Sequence, residues 1–338
     1  MTGFLHDVDY GVRGTGDGRC RRPQGRQSVQ SVKARRGAAP GRITALLAAA
    51  GAARAAYAGM VRAQRRTPGH HLPPQHAAPY QRSPCDRPSG RALRERRNAR
   101  GRLVDLCSGP AAAAAAAATA PAVGTAPTLT RRTRAAAVLA VPAGAGCGLY
   151  DDIAGAGDGR RGFTAHWRAV REGEVTSGAV KLLGIGAAGP AAGALLKDRA
   201  ADRVLAGVVI AGSAHLVNLL DVRPGRAAKG VPVVGVPGLL GAGAAAVLAA
   251  APVGAAAALL GEDLAEHTML GDCGAHALGA ALGVSIAAAR GRTGLAPHAG
   301  ALVALTAVGD RVSGGAVWEK PVLRWADGLG RLPEGDRP

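Results

Sequence analysis

The chain has 338 residues, 48% of them hydrophobic, with a mean hydropathy of +0.09 and a formal net charge of +19. Its five cysteines (20, 85, 107, 147 and 273) form no CxxC pair, which argues against a zinc site or a disulfide framework. Aromatic residues make up only 3% of the chain, too few to stack on bases, so the charge reads as the basic loops of a membrane protein and not as a nucleic-acid surface.

Residues 1–40 are rich in Gly, Arg, Gln and Ser with no apolar period, and are expected to form a disordered basic extension. Residues 42–61, "RITALLAAAGAARAAYAGMV", make a first candidate span, interrupted by Arg54. The stretch from Arg62 to Arg102 then carries eleven Arg against Asp86 and Glu95. Within it "GHHLPPQH" offers histidines, but Pro73 and Pro74 break any helical ligand spacing, so a loop is expected. Further apolar segments follow at 103–122, 134–150, 178–196, 203–219, 231–250, 253–268, 273–289 and 295–311. Several reach the ~17–25 residues that cross a bilayer. The expected fold is an all-α polytopic integral membrane protein of roughly nine or ten transmembrane helices. It would occupy residues 41–325, with a short tail at 326–338.

Four motifs carry side chains that a membrane segment would otherwise avoid. "GLYDDIAG" ends the third segment with Asp151 and Asp152. "SGAVKLLGIG" places Lys181 near the start of the fourth. "HLVNLLDVRPGRAAKG" ends the fifth with His215, Asn218 and Asp221, followed by Arg223, Arg226 and Lys229. "TMLGDCGAHALGAALG" opens the eighth with Asp272 between glycines. Two crossings separate each group of carboxylates from the next, so all should emerge on one side. The same parity puts the Arg-rich stretch 62–102 there, and the positive-inside rule makes that side cytoplasmic. Arg131, Arg132 and Arg134 fall on the other side and run against this assignment.

Ionisable groups at the edge of a membrane core are costly and commonly functional. Carboxylates around one site suit a hard cation such as Mg²⁺, which takes oxygen ligands and bridges to phosphates. Nearby Lys and Arg suit the phosphates themselves. Each motif also has a plainer reading. The acidic pair can be a solvated loop, Lys181 a snorkelling anchor, Asn218 and Asp221 a helix end, and Asp272 the N-cap of its own helix. "GIGAAG", Gly184–Gly189, matches a dinucleotide fingerprint by spacing, but no strand precedes it.

In order and spacing these residues resemble the polyprenyl-phosphate N-acetylhexosamine-1-phosphate transferases (glycosyltransferase family 4). That family includes the phospho-N-acetylmuramoyl-pentapeptide transferase and enzymes that start other cell-wall polymers. The resemblance covers about residues 90–325 and rests on "YDDIAG", Lys181, "HLVNLLD" and "LGDCGAHALG", with "RRNARGRLVDLCSGPA" similar to the loop before the family's second span. It implies a Mg²⁺-dependent reaction at the cytoplasmic face of the plasma membrane. A polyprenyl phosphate attacks a UDP-sugar, UMP leaves, and a lipid diphosphate sugar forms. It implies Asp151, Asp152 and Asp272 as catalytic residues, with Asp272 and Asp152 holding the metal. Lys181, His215, Asn218, Asp221, Arg223 and Arg226 would contact substrate. The chain departs from the family pattern at His215, where an Asn is usual, and at "DVRPGR", which lacks a second acid. A non-catalytic scaffold or lipid-binding relative is the alternative. A transporter fits less well, since its charges would sit at mid-membrane. A homodimer is compatible with either main reading.

Overall fold

A computed structural model describes residues 25–66, 95–122, 129–155, 163–309 and 316–331. The histidine-containing loop, Cys20, Cys85 and most of the Arg-rich stretch lie outside these residues. The elements in chain order are α1 (Gly25–Arg66), a hairpin of β1 (Glu95–Arg97) and β2 (Leu103–Asp105), α2 (Ser108–Ala122), α3 (Arg131–Ala154), a short α4 (Phe163–Arg171), α5 (Ser177–Leu196), α6 (Ala200–Leu220), α7 (Arg226–Leu239), α8 (Gly243–Leu264), α9 (Gly271–Ala289) and α10 (Arg292–Ala307). A 3₁₀ turn (Ala316–Glu319) and α11 (Pro321–Gly328) follow. The chain is an all-α polytopic membrane protein. Among the described residues five helices are long and apolar enough to cross a membrane: α1 from Gly41, α5, α6, α8 and α9. Helices α2, α3, α7 and α10 also match expected spans in order. Three of them are shorter, and α3 carries charges at both ends.

The core is built of small residues. Helix α9 is central, with 78% of its apolar window buried against 22% for α5 and for α1. It packs on α3, α6, α2 and α8. A Cβ on Gly148 would run into the Asp272 carbonyl, one on Gly279 into Ser213 O, and one on Gly283 would lie 2.6 Å from Ile210 Cα. Apolar side chains gain little from leaving lipid, so helices associate through close van der Waals contact, and glycine lets the backbones approach. The Ala- and Gly-rich composition is therefore what this packing requires.

Four boundaries differ from the sequence expectation. Helix α1 begins at Gly25, inside the stretch expected to be disordered. Gln27, Gln30, Lys33 and Ala34 are good helix formers, so the helix nucleated by the apolar span extends through them. The segment 103–122 is helical only from Ser108, because residues 95–105 pair as an antiparallel hairpin with Arg96 opposite Val104. The break placed near Pro252 lies instead at 240–242. Gly243 has a φ of +70°, a left-handed conformation that favours glycine, whereas Pro252 sits inside α8. The tail boundary at 325 cuts through α11, which is tied down by Asp327.

Candidate functional site

The N-terminus of α9 organises the site. Its N-cap residue, Leu270, has no capping side chain, so the first amides need acceptors from elsewhere. Two other helices supply them. Asp152, from the last turn of α3, accepts the Asp272 N–H at 3.1 Å and the Cys273 N–H at 2.9 Å. Asp221, the C-cap of α6, accepts the Gly271 N–H. The positive end of the helix dipole favours both carboxylates. Asp272 is therefore not the cap of its own helix.

Freed from capping, Asp272 turns to Lys181. The Lys181 Nζ lies 2.6 Å from Asp272 Oδ2 and 2.7 Å from Asp151 Oδ2. This ammonium rises from the first turns of α5, which Thr176 caps by accepting the Ala179 N–H. Lys181 and its two acids are each between 16% and 20% exposed, so the cluster is sheltered but open to solvent on one side. Adjacent residues on a helix point about 100° apart, which explains how Asp151 and Asp152 reach different partners.

The hairpin closes the same end of the bundle. Met269 N–H donates to Asp105 O and Asp105 N–H to His267 O, docking β2 on the segment before α9. Burial outweighs the hydrogen bonds from Thr268 and Cys107 and raises the Asp105 carboxyl above its ordinary range. The docked hairpin brings Arg96 to 3.3 Å from Asp152 Oδ1. Asn98 and Arg100 reach Glu266, at 2.7 and 3.0 Å.

The other expected residues separate into two groups. His215 and, one turn further on, Asn218 are both half-buried on the last turns of α6. Arg223 is exposed. Arg226 is buried and spent elsewhere: its guanidinium holds Asp327 at 2.8 Å and covers the Trp318 ring at 3.9 Å. It does not present itself to a ligand. Asp152 is likewise committed, to two amides and Arg96, so the carboxylate that faces a cation together with Asp272 is Asp151. Sequence reading missed Arg96 and Asp263. The acid pair Glu262–Asp263 at the last turn of α8 was the available signal for Asp263, since such groups are expensive next to a span.

The donor set can be tested against Mg²⁺. Asp151 and Asp272 already converge on one cation, Lys181, and offer the oxygen ligands that a hard ion takes. Among the described residues no three His, Cys, Asp or Glu groups are arranged as a metal cage. A two-carboxylate site completed by substrate oxygens is consistent with that, because Mg²⁺ is commonly bound through one or two carboxylates plus phosphates.

No protein-family model matches the chain, and no curated protein matches it either.

Proposed function

We propose that the protein transfers a sugar-1-phosphate, with N-acetylhexosamine-1-phosphate the expected group, from a UDP-sugar to a polyprenyl phosphate at the cytoplasmic face of the plasma membrane. The observation that carries this reading is the meeting of Asp151, Lys181 and Asp272 at one end of the bundle, from three different helices. Their order in the chain is that of the family the sequence resembles.

The lipid phosphate is already anionic, so attack on the sugar-bearing phosphorus needs positioning and charge neutralisation more than a strong base. A new P–O bond forms to the lipid phosphate, the P–O bond to UMP breaks, and UMP carries the electron pair away. Asp151 and Asp272 would hold Mg²⁺, which supplies charge neutralisation on the phosphates when bound. Lys181, displaced from its acids, would pair with a phosphate oxygen. Arg223, exposed on the α6–α7 turn with only a long 4.0 Å pairing to Asp327, would do the same. His215 and Asn218, one turn apart near the end of α6, would contact the nucleotide. Asp152 and Asp221 act as positioning residues, because they fix the amides that aim Asp272.

The test is UMP release by the purified protein with polyprenyl phosphate and a panel of UDP-sugars, with and without Mg²⁺. Asp272→Asn should lower turnover by roughly two orders of magnitude or more, about 3 kcal/mol of transition-state stabilisation. Turnover that survives Asp272→Asn would remove this residue from the chemistry. The second reading, a non-catalytic relative, is favoured by the commitment of Asp152 and Asp221 to capping. Failure of the wild type to release UMP from any UDP-sugar would select it.

A further inference from the structure

A second group of carboxylates adjoins the Lys181 cluster, joined to it where Asp221 accepts the Gly271 N–H. Beneath the turn that joins α6 to α7 is a cavity of about 10 Å³, lined by Asp221, Arg223, Asp263, Glu266 and Thr268 among others. It has room for about one water-sized group. Asp263 is only 2% exposed, and its Oδ2 meets no hydrogen-bond donor. Asp221 Oδ2 is also buried and without a donor. Their remaining acceptor capacity goes to backbone: Gly271 N–H for Asp221 and Gly225 N–H for Asp263.

The surrounding cations are engaged elsewhere. Glu266, in the same wall, takes Asn98 and Arg100. Arg226 and Arg331 both bind Asp327, and the Lys229 ammonium is held by the carbonyls of Ala326, Asp327 and Leu329. Arg223 reaches out to 4.0 Å from Asp327. Among the described residues neither Asp221 nor Asp263 has an ion pair within 4 Å. An uncompensated buried carboxylate costs several kcal/mol. Two of them around one small cavity, each with one oxygen that meets no donor, make a place that a shared positive charge would stabilise.

We propose that this cavity is a divalent-cation site, held by Asp221 and Asp263, whose donors are distinct from those of the neighbouring Asp151–Lys181–Asp272 cluster. The donors are carboxylate oxygens with no thiol or imidazole, which selects a hard ion of the Mg²⁺ or Mn²⁺ type. The ion ties the end of α8 to the α6–α7 turn and so fixes Asp221, the residue that caps α9. The site does not depend on the transferase reading, because a scaffold needs the same tie.

Mn²⁺ is the probe. The full-length protein in detergent, stripped of metal and returned to buffer, is titrated with Mn²⁺, and bound ions are counted by paramagnetic resonance. The wild type should bind Mn²⁺ saturably, and its unfolding temperature should rise. Asp263→Asn and Asp221→Asn should each weaken that ion tenfold or more, whereas Asp272→Asn should keep it. A wild-type measurement guards against variants that fail to fold. Fe²⁺ substituted for Mn²⁺, with ascorbate and peroxide, cuts backbone near a bound ion. Cuts should fall near 221–225 and 263–266. Absence of saturable Mn²⁺ binding, binding unchanged in Asp263→Asn, or cuts confined to the neighbourhoods of 151, 181 and 272 would each overturn the proposal. The first of these outcomes means that a water or a proton, and not a cation, satisfies the two acids. None of these readouts measures turnover, so failure of the cation site and failure of the transferase reading are separate results.

Discussion

Two adjacent aspartates do different work here, and the difference can be measured. Asp152 satisfies two amides of α9 and pairs with Arg96, while Asp151 shares Lys181 with Asp272. Asp152→Ala orphans buried donors and should destabilise the fold by about 2 kcal/mol. Asp151→Ala leaves Lys181 with Asp272 and should cost well under half of that. Thermal unfolding of the two variants checks the order, and equal losses would contradict this division of roles. Lys181→Met gives a third comparison. It leaves two neighbouring carboxylates without their counter-ion, at a cost of about 2 kcal/mol once their partial exposure is allowed for. If Asp151 and Asp272 can hold a divalent ion, added Mg²⁺ should stabilise Lys181→Met more than the wild type, since the ion no longer competes with an ammonium. The sequence revealed that these four side chains stand at helix ends on one side. It did not reveal which of two consecutive acids faces α9, because that depends on the rotation of α3, and alanine-rich faces set no rotation by their own pattern.

At the scale of elements, the nine apolar segments were legible in order because each is long and bounded by charge or glycine. Their ends were less so. The gap between segments 231–250 and 253–268 falls at Pro252, yet a proline inside a helix is tolerated when the neighbouring helix or a local adjustment takes up the freed carbonyl. The hairpin was hidden because three-residue strands give almost no alternation, and its hold on the segment before α9 is a long-range pairing. Asp263 falls in the polar stretch of the expected segment 253–268, whereas α8 runs from Gly243 to Leu264 and carries it in its last turn. Glycine contacts test the packing. Gly148 lies against the Asp272 carbonyl, so Gly148→Ala must push α3 from α9 directly beneath the Lys181 cluster. Overpacking of this kind costs about 1–3 kcal/mol. Gly146→Ala, one turn-face away with open space around its Cβ, should be neutral or slightly stabilising. Thermal unfolding of the pair decides it. The C-terminal strap is a further element-scale case. Burial tends to raise the Asp327 carboxyl, but the hydrogen bond from Arg226 and the charges of Arg226 and Arg331 prevail and hold it below the ordinary range. A depressed folded value means that this stability is fully present above the unfolded value, about pH 4, and is lost as pH falls through the lower folded one. Acidification below about pH 4 should therefore loosen α11 from α7, seen as a change in the fluorescence of Trp318 where it covers Arg226. Asp327→Asn should produce the same change at neutral pH. A signal that is flat in both experiments would mean that apolar contacts alone hold the strap.

For the whole molecule, the contacts fix which termini share an end, and charge then gives a direction. The Lys181 cluster, the hairpin, the α6–α7 turn and the strap lie at one end, because Arg96 meets Asp152 and Arg331 meets Pro224 O. At the other end Arg132 pairs with Asp198, Arg292 with Asp202, and the Lys197 ammonium with Arg290 O. The first end also carries Arg62, Arg65, Arg66, Arg97, Arg100, Arg102, Arg168, Arg171, Arg223 and Arg324. The second end has its own cations, two of them, Arg132 and Arg292, paired with acids there, and the count of Lys and Arg in short loops favours the first. Under the proposed function the cluster faces the cytoplasm, where a soluble nucleotide sugar would be met, and the positive-inside rule supports that direction. Two single cysteines decide the matter on a background with the native cysteines replaced. Arg97→Cys lies on the exposed face of the hairpin, and Asp198→Cys sits in a turn where the native side chain is 84% exposed. A membrane-impermeant maleimide added to intact cells should label Asp198→Cys and spare Arg97→Cys, and inside-out vesicles should reverse the pattern. The reversed result would leave every helix contact unchanged but would put the cluster on the outer face. There no UDP-sugar pool could supply it, and the transferase proposal would fall while the fold stood.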